Sequence, residues 1–203
     1  MWRLECQRLG KRFGERWVFR GLELALETGT VLIVRGANGT GKTTLLRLMA
    51  GLIAPTEGAV VLRMDGKAIA DRKRYLGWCA VDGALYRELT GYEHLRWWAQ
   101  VRGLPAEPNL LIAHLERFEL GSRAHERVRA YSAGMRQRLR LAIATYGAPP
   151  VLLLDEADAG LDAAGLNLLK RTIDEQASYG IVCFATNRAE LARWGNLALE
   201  LGA

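Results

Sequence analysis

Two groups of residues have the types and spacing for phosphate chemistry. Gly36-Ala37-Asn38-Gly39-Thr40-Gly41-Lys42-Thr43 matches G-x-x-x-x-G-K-[ST], the phosphate-binding loop. Glycines let the backbone curl so that successive N–H groups face an anion. A helix starting at the end of the loop adds unpaired N–H donors and the positive end of its dipole. In such a loop Lys42 reaches the β- and γ-phosphates, and the Thr43 hydroxyl serves Mg²⁺. The second group is Asp155-Glu156, two carboxylates closing the apolar run Val151-Leu152-Leu153-Leu154. An Asp there can hold Mg²⁺, and a Glu beside it can polarise a water for attack on a phosphoryl group. The plainer readings are a glycine-rich turn without a ligand and a strand that ends in a solvated acidic turn.

The flanking sequence has to position these groups. Val31-Leu32-Ile33-Val34 reads as a buried strand feeding the loop, and Thr43-Thr44-Leu45-Leu46-Arg47-Leu48-Met49-Ala50 as a helix stopped by Gly51. Val151–Leu154 reads as a second buried strand, with its carboxylates at the C-terminal end, where open α/β sheets place their sites. Ile181–Thr186 is a third, with Asn187 at its end.

The remainder supports an α/β chain. Met1–Cys6 and Leu22–Glu27 alternate as half-buried strands do, with a turn over Arg12–Arg16 that carries Phe13. Phe13 is either a core residue or an aromatic platform for a base. Ala59–Met64 returns as a strand to a hairpin-type turn at Asp65-Gly66, and Tyr75–Ala80 is another short strand. From about Leu89 to Arg129 the chain turns helical and polar, with helices over Tyr92–Val101 and near Leu110–Phe118. Tyr131-Ser132-Ala133-Gly134-Met135 then opens a helix running from Arg136 to Ala144. Small residues at its start leave N–H donors open to an anion, although many helices simply begin on a Ser cap.

With 203 residues, half hydrophobic and a quarter charged, the chain suits one α/β domain. No apolar run approaches the roughly 20 residues of a membrane span, and the first residues lack a signal-peptide apolar region, so a cytoplasmic location is expected. Cys6, Cys79 and Cys183 lack metal-site spacing and read as small buried thiols; His94, His114 and His125 lack ligand spacing too. The net charge of +6 reads as a solvated, Arg-rich surface. Anionic lipid or nucleic acid is the alternative, but no basic run is interleaved with aromatics, and no nucleic-acid partner is expected.

Taken together, these motifs resemble the ATP-binding-cassette (ABC) ATPases along essentially the whole chain. Gly36–Thr43 resembles the Walker A motif, Val151–Asp155 the Walker B motif followed by the catalytic Glu156, Tyr131–Met135 the signature sequence, and Ala159-Gly160-Leu161-Asp162 the D-loop. The resemblance implies a P-loop NTPase fold of ABC type, with a mixed β core, an N-terminal antiparallel β subdomain and a helical insertion at about residues 83–145 of a single domain, 1–203. It implies ATP and Mg²⁺ as ligands. Phe13, Gly36, Ala37, Asn38, Gly39, Thr40, Gly41, Lys42, Thr43 and Thr44 would hold the nucleotide, with Thr43 and Asp155 on the metal and Lys42 and Glu156 in catalysis. It implies a head-to-tail pair, either a homodimer or a heterodimer, in which Ser132, Gly134 and Asp162 serve the partner's nucleotide.

Two positions depart from the family. The Gln that follows the strand before the helical insertion is replaced by Val81 or, with a one-residue slip, by Asp82, which could still ligate Mg²⁺. The His after the last of the three buried strands is replaced by Asn187, which keeps an amide donor for the γ-phosphate but carries no proton or charge. ATP hydrolysis is therefore expected, and slow in the isolated chain. The lack of a fused membrane segment and the stretch Leu85–Leu95 are similar to exporter ATPases, in particular that of the cytochrome c maturation haem exporter, with drug or antibiotic exporters as the alternative. The chain would then sit on the inner face of the membrane against an integral membrane subunit. Leu85, Tyr86, Trp97 and Trp98 are the docking candidates, although adjacent tryptophans point about 100° apart on a helix and should not share one narrow stripe. A soluble ABC ATPase acting on nucleic acid and a regulatory nucleotide-binding protein are the competing classes.

Overall fold

The computed structural model describes residues 1–81 and 83–202. The chain opens with β1 (Trp2–Phe13), β2 (Arg16–Glu27), β3 (Val31–Arg35), α1 (Lys42–Ala50), β4 (Glu57–Met64) and β5 (Lys67–Ala68). It continues with β6 (Leu76–Ala80), α2 (Gly91–Val101), α3 (Pro108–Arg117), α4 (Ala133–Thr145), β7 (Val151–Asp155), α5 (Ala163–Ala177), β8 (Ile181–Ala185) and β9 (Leu197–Glu200).

The strands form two sheets. One is antiparallel, ordered β2-β1-β4-β5, and the other is parallel, ordered β6-β7-β8-β3-β9. The β structure is thus mixed, with an N-terminal antiparallel sheet laid on a parallel core. β3, β7 and β8 read as continuous apolar runs because both of their faces are covered. Ile33, Leu152, Leu154, Val182 and Phe184 face the cluster shared with the helices, while Leu32, Val34, Val151, Leu153 and Cys183 face α1 and the antiparallel sheet. That alternation is the two-residue period of a strand read on both sides.

The N-terminal hairpin is longer than the alternation suggests. β1 and β2 each run twelve residues, and their turn shrinks to Gly14-Glu15. Register shifts after Cys6, Leu9 and Lys11, with Arg8 in a left-handed conformation (φ 46°), move side chains between faces and break the period.

Local caps hold the helices near the site. Arg72 donates to the carbonyls of Leu48 and Met49 (both 3.0 Å), satisfying the C-terminal end of α1. Thr90 and Glu93 form a reciprocal capping box at the start of α2. Between β6 and β7 the structure is helical, comprising α2, α3, α4 and short 3-10 turns. Cys6, Cys79 and Cys183 are free and buried; desolvation pushes the first two thiols up to about 12 and raises the third as well, so none is an activated nucleophile. No described helix is long and apolar enough to cross a membrane.

Candidate functional site

The C-terminal ends of β3, β7 and β8 lie together because β8 pairs with both of the others. From those ends come the loop 36–41, Glu156 and Asn187. Gly41 has φ +105°, and a Cβ there would stand 2.3 Å from Val18 Cγ1, so the loop passes too close to the hairpin for any side chain. α1 has no acidic residue in its first turn, which leaves its positive end uncompensated. Lys42 is 6% exposed, and its Nζ donates to the carbonyls of Gly36 (2.7 Å) and Ala37 (3.0 Å), folding the cation back over the loop.

Thr43 Oγ1 donates to Asp155 Oδ1 (3.1 Å), so the second residue of α1 meets the last residue of β7. Among the described residues no three His, Cys, Asp or Glu side chains converge as a metal cage. A hydroxyl and a carboxylate alone suit Mg²⁺, which keeps waters and phosphate oxygens in its shell, better than a metal that needs an all-protein site. The residues present fit that ion.

Glu156 adopts a left-handed backbone (φ 50°), a strained conformation for a non-glycine residue, fixed by its N–H on Ala185 O (2.9 Å). Asn187 Nδ2 donates to Glu156 Oε1 and to Asn38 Oδ1, each at 2.9 Å. The amide expected to meet a phosphate is thus engaged by a carboxylate and by the loop. Arg188 pairs with Asp158 (3.3 Å), which is only 5% exposed. Desolvation raises the Asp158 pKa, partly offset by Thr186 and Arg188, and its Oδ1 has no hydrogen-bond partner among the described residues.

A cavity of about 720 Å³ joins the phosphate loop, the start of α1 and Glu156 to the N-terminal hairpin. Phe13, Arg16, Trp17 and Val18 form one wall, and Asn38 to Thr44 together with Glu156 form the other. Phe13 is 54% exposed with Lys11 Nζ 4.9 Å from its ring centroid, so it is no core residue. Arg16 and Trp17 were not expected there. The guanidinium groups of Arg12 (5.6 Å) and Arg20 (4.8 Å) lie over the Trp17 ring. The only sequence signal for them was proximity to Phe13 across a turn. Gly36 and Ala37 line the outer side of the loop with Thr186 and Asn187.

Ser132, Gly134 and Asp162 do not line this cavity. Ser132 caps α4, its Oγ accepting from Met135 N (3.1 Å), and no acidic residue stands in that helix's first turn. A Cβ on Gly134 would lie 3.7 Å from Gly160 O, so the start of α4 stands beside the segment before α5. Asp162 caps α5 through Gly165 N (2.8 Å) and faces Arg138 (3.5 Å). Val81 is 41% exposed; Asp82 lies outside the described residues.

Leu85, Tyr86, Trp97 and Trp98 border a groove of about 210 Å³ with His94 and Arg140. Both tryptophans border it, Trp97 exposed and Trp98 half-buried, so they present different faces of α2 to it. Tyr86 stacks on His94 (6.1 Å) and meets the edge of Trp97 (6.4 Å). Burial lowers the His94 pKa, so that side chain is neutral at pH 7.

The profile of the family described as ABC transporter matches residues 19–159. The cytochrome c biogenesis ATP-binding export protein CcmA of Cupriavidus necator is 33% identical over 97% of this chain and 88% of its own. The daunorubicin resistance ATP-binding protein DrrA3 of Streptomyces coeruleorubidus is 39% identical, over 76% of this chain and 50% of its own. The solved structure of an ATP-binding subunit of an ABC transporter is 28% identical and superposes with a TM-score of 0.86, covering 98% of this chain and 85% of that one.

Proposed function

The chain belongs to the ABC transporter family as an ATP-binding subunit, and from that premise we propose that it hydrolyses ATP to drive a separate membrane subunit in haem export for cytochrome c biogenesis. The observation that carries the reading is Glu156, held by Asn187 on the wall of the cavity that contains the phosphate loop. ATP lies with its base at Phe13 and its phosphates in the loop under Lys42. Thr43 and Asp155 would hold Mg²⁺, and that ion would supply neutralisation of the phosphate charge. Glu156 accepts a proton from the attacking water; the water oxygen bonds to the γ-phosphorus as the bond to the bridging oxygen of ADP breaks, and ADP and phosphate leave. Asp82 is a further candidate for the metal.

The whole chain acts as one domain, with about 83–145 as its helical part. Two domains pair head to tail, so that Ser132, Gly134 and Asp162 of one serve the nucleotide of the other. The groove at Tyr86 and Trp97 receives the membrane subunit at the inner face of the membrane. The haem assignment follows the relative whose similarity runs along 97% of this chain. Drug export is the second reading, favoured by the higher identity of the daunorubicin relative over a shorter stretch. Deleting the gene should abolish haem-stained c-type cytochromes. Unchanged cytochromes with new drug sensitivity would favour the second reading.

Turnover in the isolated chain is slow because Asn187 cannot exchange a proton. Asn187→His should raise turnover several-fold and add a pH dependence near about 6.5 that the parent lacks. A variant with the parent's rate and a flat profile would remove that explanation.

A further inference from the structure

We infer that Asn38 and Asn187 form a latch that ATP opens and ADP does not, and that the latch sets how strongly the site prefers ATP. This rests on the ATPase reading and goes beyond it. A side-chain amide has two hydrogens to give. Both of those on Asn187 are used, one on Asn38 Oδ1 in the phosphate loop and one on Glu156 Oε1. The two acceptors lie on opposite sides, the loop after β3 and the end of β7. Asn187 therefore ties the loop to the residue proposed as the base.

The mount of the latch is fixed. Arg188, next in the chain, is paired with the buried Asp158, and its N–H donates to Thr186 Oγ1 (3.1 Å). Thr186 is buried, and its own N–H lies against Val34 O (3.3 Å). With its base held on both sides, the amide responds by exchanging acceptors, not by swinging away with the loop.

A γ-phosphate oxygen is an anionic acceptor, stronger than the neutral amide oxygen of Asn38. When ATP enters, that oxygen takes the hydrogen Asn38 held, while the other hydrogen stays on Glu156. The exchange unties the loop and leaves Glu156 joined through Asn187 to the phosphoryl group. ADP has no γ-phosphate and leaves the latch closed. Asn38 is thus a positioning residue, a competing acceptor whose bond must be given up before ATP is recognised. No proton moves and no group in the exchange changes charge.

The test is a double-mutant cycle read on the ratio of ATP to ADP affinity, measured by calorimetry on the full chain with Mg²⁺ chelated so that hydrolysis does not intrude. A contact of Asn38 with the nucleotide parts common to ATP and ADP cancels in this ratio. Asn38→Ala should raise the ratio about fivefold, the worth of one net hydrogen bond. In an Asn187→Ala background the same substitution should leave the ratio within about twofold. Both side chains are exposed, so folding is not at stake. An unchanged ratio in the Asn38→Ala chain, or an equal rise in both backgrounds, overturns the latch alone. A parent chain that binds neither nucleotide overturns the ATPase reading and the latch with it.

Discussion

Glu156→Gln lowers steady-state phosphate release at least about 100-fold, while ATP affinity stays within about twofold. Glutamine keeps the length of the side chain and an oxygen to accept the Asn187 amide, whose present bond is 2.9 Å. It removes only the ability to take a proton from water. General bases contribute about 10²–10⁴-fold, so the loss should fall in that range. The strained left-handed backbone at Glu156 is unaffected by the change, which keeps the comparison chemical. Phosphate release and equilibrium binding, measured side by side, separate the two effects. A variant that retains a tenth or more of the parent turnover would mean that Glu156 is not the base.

Lys42→Ala weakens ATP binding about 30- to 100-fold. The Lys42 ammonium is buried and held over the loop by two carbonyls, so it is already placed before any phosphate arrives. Charge-assisted hydrogen bonds contribute about 1.5–3 kcal/mol each, and this one acts on the most highly charged part of the ligand. Lys42→Arg should rescue little, because a planar fork does not fit a point-charge position. Calorimetric titration of both variants checks this; an affinity within threefold of the parent would place the phosphates elsewhere.

The parts of the site that are written as short local patterns were legible in the sequence. The phosphate loop combines glycine spacing, a strand before it and a helix after it, and all three appear where expected. Val151–Asp155 is legible because four apolar residues ending in two carboxylates have few other uses. α5 was not anticipated. Its buried Leu168, Leu169 and Ile173 are interspersed with Asn, Lys and Arg, and its cap, Asp162, falls in the Ala159–Asp162 stretch that resembles the D-loop. The full length of β1 was hidden by bulges, which break the very period that marks a strand. Contacts between loops leave no local trace at all. Asn38 and Asn187 stand 149 positions apart, and only the β3–β8 pairing brings them together. Asp158 shows nothing in its neighbours that predicts a buried, half-satisfied carboxylate; that emerges only when Arg188 folds beside it.

Phosphate release from ATP by the purified chain, with and without Mg²⁺, tests ATP hydrolysis at this site most directly. The expected result is repeated turnover that requires Mg²⁺, yields one ADP per phosphate and runs below about 1 per second, the low edge of ordinary enzyme rates. Bound ATP that persists unhydrolysed in the presence of Mg²⁺, or release that continues unchanged when Mg²⁺ is chelated, would contradict it.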